Sequence, residues 1–251
     1  MKRSKIQSQF KNVLIGPALA LAILGQATSS KAYSNPPTWM PMEMLNVSFN
    51  TGNDTLSVVP EGTTPVLNIA ANGTYDPTQP WSVLNGTAYS RQLGWNPASS
   101  TILNDVQTAY GSGASLWIGL VSETAGLQSY KAVGKYGVNA NNTTTVDPTL
   151  GAYSGIFGTA GSSLNWQWDG KMDHNAYAVN LSDLTTPNEL FSATYKVYVG
   201  DSSGNELADA IGASTTTTWT WQGPVTVPEP TTMGLAAAGV LGLLVFRKIK
   251  S

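Results

Sequence analysis

The run LFSATYKVYVG, Leu190 to Gly200, puts Phe191, Ala193, Tyr195, Val197 and Val199 on one face and Thr194, Lys196 and Tyr198 on the other. Alternation of that length fits a strand with one buried face and excludes a helix, whose apolar positions recur every three or four residues. The same period returns in LNVSFN, where Leu45, Val47 and Phe49 alternate with polar neighbours until TGND ends the run. Turn chemistry punctuates the next two segments: TLSVV meets PEG, and VLNIA meets NG.

Further strands are expected downstream. ASLWIGLVS, Ala114 to Ser122, is more continuously apolar, as for a strand covered on both faces. NWQW, then DG, then KMDHNAYAVN predicts a hairpin, because Asp-Gly tolerates the positive φ of a type I′ turn. TTTTWTWQG, rich in β-branched Thr and Trp, predicts the last strand. Only SSTILNDVQTAYG has helical spacing, through Ile102, Leu103, Val106 and Tyr110 after Ser caps. The stretch from Tyr136 to Ser163, rich in Gly, Asn and Thr, reads as a long loop or irregular edge strands. One short helix among eight to ten strands predicts an all-β domain, an antiparallel β-sandwich of jelly-roll type.

The two ends have a different character. MKRSKIQSQFKN carries Lys2, Arg3, Lys5 and Lys11 without an acid, the uncharged run Val13–Leu24 comes after it, and small residues stand next at Ser30 and Ala32. That order describes a secretory signal peptide, residues 1–32, with cleavage after Ala32 or, alternatively, after the GQA ending at Ala27. Its apolar run is too short to span a bilayer comfortably. At the other end Met233–Phe246 is apolar and is followed at once by Arg247, Lys248 and Lys250. By the positive-inside rule those cations form a cytoplasmic basic stop to a single transmembrane helix, and the preceding body lies outside. The expected organisation is a signal peptide (1–32), an exported all-β domain (33–224) and a C-terminal anchor segment (225–251).

Charge obeys the same partition. The whole chain is −2, but the body from Tyr33 to Thr226 keeps only Arg91, Lys131, Lys135, Lys171 and Lys196 against fourteen acids, a formal charge of about −9. A body so acidic is expected to bind neither nucleic acid nor anionic lipid. With no cysteine, disulfide frameworks and thiolate metal sites are excluded, so stability must come from an ordinary core or a bound ion.

Before the apolar tail stands the tripeptide Pro228, Glu229, Pro230, whose prolines fix an extended backbone. VPEP, a Gly/Ala/Leu segment and a terminal RKIK together resemble the PEP-CTERM sorting signal of Gram-negative bacteria, over about 25 residues. The resemblance implies that the tail is a substrate for an exosortase, a membrane protease or transpeptidase encoded alongside exopolysaccharide machinery. Pro228, Glu229 and Pro230 would then be the processing motif. The anchor would hold the body in the periplasm at the inner membrane until it passes to the cell surface or extracellular matrix. An association with extracellular polysaccharide comes from this resemblance alone.

The body offers little catalytic chemistry. His174 is the only histidine and there is no G-x-S-x-G elbow, so it is read as a core or edge residue. Asp169 and Asp173 flank the Asp-Gly turn and are the candidate carboxylate pair for a glycoside hydrolase, the less favoured alternative. Asp201, Ser203, Asn205 and Glu206 in DSSGNE are oxygen donors that Ca²⁺ accepts, but a turn with Asx-type hydrogen bonds explains them as well. Trp166 with Trp168, and Trp219 with Trp221, point together at i and i+2. They are read as core, with an exposed carbohydrate-binding platform as the alternative. Seven N-x-S/T sequons, at Asn46, Asn53, Asn72, Asn85, Asn141, Asn142 and Asn180, reflect a composition rich in Asn and Thr. The expectation is a non-enzymatic envelope component without catalytic residues or cofactor.

Overall fold

The computed structural model describes residues 42–69, 75–131, 137–138, 144–145 and 153–225. The expected signal peptide (1–32), the expected processing motif and the apolar tail lie outside the described residues. In chain order the strands and helix are β1 (Glu43–Asn50), β2 (Thr55–Glu61), β3 (Asn68–Ile69), β4 (Thr87–Ser90), β5 (Leu93–Pro97), α1 (Ile102–Tyr110), β6 (Ser115–Glu123) and β7 (Leu127–Lys131). Next come β8 (Gly137–Val138), β9 (Thr144–Thr145), β10 (Ser154–Ile156), β11 (Asn165–Trp168), β12 (Asp173–His174), β13 (Ala176–Asn180), β14 (Leu190–Gly200) and β15 (Thr215–Gln222). The domain is all-β, as expected.

The strands form three main sheets, ordered β12-β5-β1-β2, β10-β7-β13-β4-β3 and β11-β6-β14-β15, with β8 and β9 as a separate pair. All three main sheets supply one core: Leu45, Val47 and Trp95 from the first, Tyr177 and Val179 from the second, Tyr195, Val197 and Trp221 from the third. Among the described strands pairing is antiparallel except for β1 with β5, which run parallel from Glu43↔Leu93 to Val47↔Pro97, and an isolated bridge of Val66 with Gln222 is parallel too. This departs from a wholly antiparallel sandwich. The long connection between these strands, through β2 to β4, is what a parallel pair requires and a tight turn cannot supply.

The longest alternating run folds as its period dictates up to Val197, beyond which Tyr198 on the opposite face is buried as well. In β14, Phe191, Ala193, Tyr195, Val197 and Val199 are all buried. In β1, Leu45 and Val47 are buried and Phe49 packs at the margin. The continuous run in β6 is covered on both faces only over its first half. Leu116 and Ile118 enter the core and Trp117 is buried on the other side, whereas Val121 is exposed.

The Asp-Gly segment turns, but it does not make a hairpin. Gly170 has φ +70°, and Lys171 N–H donates to Asp169 Oδ1 at 3.0 Å. Yet β11 pairs with β6 while β12 pairs with β5, so the turn carries the chain from one sheet to another. Turn chemistry acts over four residues and does not fix the partners of the strands on either side; across the turn the buried Trp168 indole N–H donates to the Lys171 carbonyl at 2.6 Å.

Helix α1 buries Ile102 and Val106, as its spacing predicts, and ends at Gly111 (φ +93°). Its cap differs from the expectation. Thr101 occupies the N-cap without a side-chain bond to the helix backbone, and its hydroxyl donates instead to Asp105 Oδ2 at 2.9 Å. A second apolar cluster, Tyr75, Trp81, Leu84, Tyr130, Tyr153, Ala176 and Ala178, covers the outer face of the β7-β13-β4 sheet. Ala176 and Ala178 on one side, Tyr177 and Val179 on the other, therefore leave β13 buried on both faces.

Candidate functional site

The polypeptide leaves the body through β15. Thr217, Trp219 and Trp221 of this strand face inward, and it is held along its length by β14, from Leu190↔Gln222 to Val197↔Thr215. Its end is fastened on both sides. Gln222 N–H donates to the Pro65 carbonyl at 2.9 Å and the Gln222 carbonyl accepts Leu67 N–H at 2.8 Å. Gly223 N–H donates to the Glu189 carbonyl at 2.6 Å, and the Pro224 carbonyl accepts Asn188 N–H at 3.1 Å. The Gln222 amide adds a bond to Asn188 Oδ1 at 2.7 Å. Pro224, four residues before Pro228, is buried, and Val225 is exposed.

The tryptophan pairs are core. Trp166, Trp168, Trp219 and Trp221 are at most 8% exposed, and Trp221 lies 4.4 Å from the Tyr177 ring centroid to centroid. Trp81, Trp95 and Trp117 are also buried, so the carbohydrate platform built on surface Trp does not form among the described residues. The reason is energetic: each indole brings a large apolar surface, and a core drawn from three sheets has room for it.

The DSSGNE loop is a closed Asx-type turn. Asp201 Oδ1 accepts the N–H groups of Ser203 (2.8 Å) and Asn205 (3.0 Å), and Oδ2 accepts the Asn205 amide at 3.0 Å. Those bonds hold the Asp201 carboxyl below its ordinary value. Glu206 pairs with Lys196 at 2.6 Å. The loop lies over Trp117, whose Nε1–H donates to the Asp201 carbonyl at 2.9 Å. Among the described residues no three His, Cys, Asp or Glu side chains gather as a metal-binding group.

The remaining candidates separate. Asp169 is exposed and bonded to Lys171 at 3.2 Å. Asp173 is partly buried, and its carboxyl is raised chiefly by that burial, opposed by Lys131 and assisted by Asp169. His174 is partly buried too, with its ring against Gly94, where an added Cβ would come within 2.7 Å of it. Burial, and then the Arg91 charge, lower its pKa and favour the neutral imidazole. Glu123, at the exposed end of β6, is pushed up to about 7 by desolvation of its carboxyl. All four described sequon asparagines are engaged: Asn46 with Glu61, Asn53 with the Thr55 hydroxyl, Asn85 with the Tyr75 backbone, Asn180 with Asp183. Asn53 sits on the exposed β1–β2 turn.

The inside of the core carries polar groups that sequence reasoning did not single out. Tyr177 and Tyr195 are fully buried, and the Tyr177 hydroxyl is pushed up to about 12 by desolvation, partly offset by Asn175, Trp95 and Tyr195. Tyr195 is raised well above its ordinary value, again chiefly by burial. Alternation in Leu190–Gly200 marked Tyr195 as inward-facing; nothing marked Tyr177 so, or the two as neighbours.

Residues 226–249 match the family model of the PEP-CTERM protein-sorting motif, so the C-terminal region carries that motif. It supports export, and sorting by an exosortase with processing at the membrane. No curated protein and no solved structure matches the chain. Among the described residues no helix is long and apolar enough to cross a membrane.

Proposed function

We propose that this chain is a bacterial envelope protein whose acidic all-β body is exported and held in the periplasm by its tail, then released to the cell surface or matrix. The match over residues 226–249 carries the reading. Pro228, Glu229 and Pro230 are the tripeptide that the exosortase grips, extended because both prolines disfavour helix. The apolar run Met233–Phe246 is the anchor, and Arg247, Lys248 and Lys250 keep its far end cytoplasmic. The body acts without catalysis, as a structural component associated with extracellular polysaccharide. Its formal charge of about −9 supports a soluble, self-repelling domain with little attraction to anionic lipid.

Replacing Pro228, Glu229 and Pro230 together by alanine tests this in the native host. The variant accumulates as full-length protein in the inner membrane, while the parent chain appears outside it in a shortened form. Equal release of both would refute the sorting role of the tripeptide. For the body, turnover of a polysaccharide that is lost in Asp173→Asn would replace the structural reading with the hydrolase.

A further inference from the structure

The fastening at the end of β15 limits how far the processing motif reaches from the body. Pro224 is buried and bonded, and Pro228 lies four residues on. A fully extended chain covers at most about 3.6 Å per residue, so the motif begins within roughly 14 Å of the folded surface. An enzyme that closes around an extended tripeptide cannot do so at that distance without meeting the surface itself.

That surface has a definite chemistry. Leu190 is 62% exposed and Val225 is 69% exposed, beside the polar amides of Asn188 and Gln222. Leu190 is the register partner of Gln222, so both stand at the same end of the third sheet. The nearby carboxylate, Glu189, is turned onto its own loop, where Oε2 accepts the Thr185 N–H and hydroxyl, each at 3.0 Å. Two exposed apolar side chains, each within three residues of the bonded Asn188–Gln222 pair, suit a protein partner. The net acidity of the body disfavours an anionic bilayer in the same place.

We propose that the exit face formed by Asn188, Leu190, Gln222 and Val225 is a docking surface for the membrane processing enzyme, and that the short tether forces the contact. This rests on the sorting reading given above. The fastening then has a role beyond stability: it presents the motif and the docking face together.

The test is pulse–chase processing of the full-length chain in its native host, read as shortened against full-length intact mass. Leu190→Glu with Val225→Glu changes only exposed side chains and leaves the motif intact. Its processing is expected to be about tenfold slower, equivalent to losing one modest contact of about 1.4 kcal/mol. A flexible Gly/Ser spacer of about twelve residues, inserted after Val225 of the otherwise unaltered chain, uncouples the motif from the face and is expected to slow processing, while the same spacer in the double variant slows it no further. A photo-reactive residue at Leu190 is expected to yield an adduct containing peptides of the processing enzyme, absent when Pro228, Glu229 and Pro230 are alanine. Processing of the double variant at the parent rate, or adducts with lipid alone, would overturn the proposal. If the parent chain is not shortened at all, the sorting reading fails instead, so the two failures are distinct.

Discussion

The indole of Trp117 and the carbonyl of Asp201 are joined by a 2.9 Å hydrogen bond across 84 residues of sequence. The outer face of β6 is thereby capped by the turn after β14. Gly200 and Gly204 permit the approach: a Cβ on Gly200 would lie 2.9 Å from Trp117 Cδ1, and Gly204 combines φ +85° with a 3.2 Å approach to the same ring. Gly204→Ala is expected to destabilise the body by about 1–2 kcal/mol, the cost of a left-handed backbone for a residue with a Cβ. A lowered denaturant midpoint with unchanged slope would register this.

Because the Asp201 carboxylate is already occupied by donors from Ser203 and Asn205, the same turn should ignore calcium. Ligands that bind the folded state raise its melting temperature by mass action. Excess Ca²⁺ is expected to leave the melting temperature unchanged. A concentration-dependent rise, lost in Asp201→Asn, would restore the cation site.

Seven of the eight tryptophans are described, and each is at most 9% exposed. Tryptophan emission is therefore expected at short wavelength, with limited quenching by acrylamide and no response to polysaccharide. Trp221→Ala is expected to cost about 3–5 kcal/mol, since an indole fully enclosed between β13 and β14 leaves a cavity that cannot wholly collapse. Chemical denaturation of purified body measures that loss directly.

How legible this fold was depended on the range of each signal. Leu190–Gly200 was readable because period-2 alternation is written in the strand itself, and the burial of Phe191 through Val197 obeys it, while the burial of Tyr198 beneath the following turn does not. The helix at Ile102–Tyr110 was readable for the same reason. The β1–β5 parallel pair was not, because Glu43↔Leu93 is a choice between distant segments that no local pattern records. Asp169-Gly170 gave a true turn and a false hairpin: its backbone requirement is local, whereas the partners of β11 and β12 are not. The tail was the most legible part: residues 226–249 match the PEP-CTERM sorting motif, and a linear motif needs no tertiary context to be read.

Tyr177 and Tyr195 predict an alkaline limit. Their hydroxyls are raised from an ordinary 10, Tyr177 to about 12, because burial disfavours the phenolate. The folded state then holds protons that the unfolded state releases. Stability is full below about pH 10 and is lost as pH rises through about 12. Tyrosinate absorbance should show these two groups titrating only together with unfolding, and Tyr177→Phe should shift the transition upward. Titration of every tyrosine before unfolding would contradict the buried placement.

Gly62 is constrained by its neighbour as well as its backbone. It has φ +107°, and an ideal Cβ would fall 1.2 Å from Glu43 Oε2, the oxygen that accepts Thr63 N–H at 2.7 Å. Gly62→Ala must break that buried contact or move the turn, a cost expected to exceed the roughly 1–2 kcal/mol of the backbone alone. Glu43→Gln, which keeps an acceptor, should cost less, and comparing the two by thermal unfolding separates clash from lost charge.

The central claim, that residues 226–249 are a processed address, is tested most directly by intact mass. The protein is purified separately from inner-membrane and from outer-surface or extracellular fractions of its own host. The account predicts full length, less the signal peptide, in the membrane and a form ending near Pro228 outside it. Full-length protein in every fraction, with no shortened form, would contradict it and leave the tail a plain anchor.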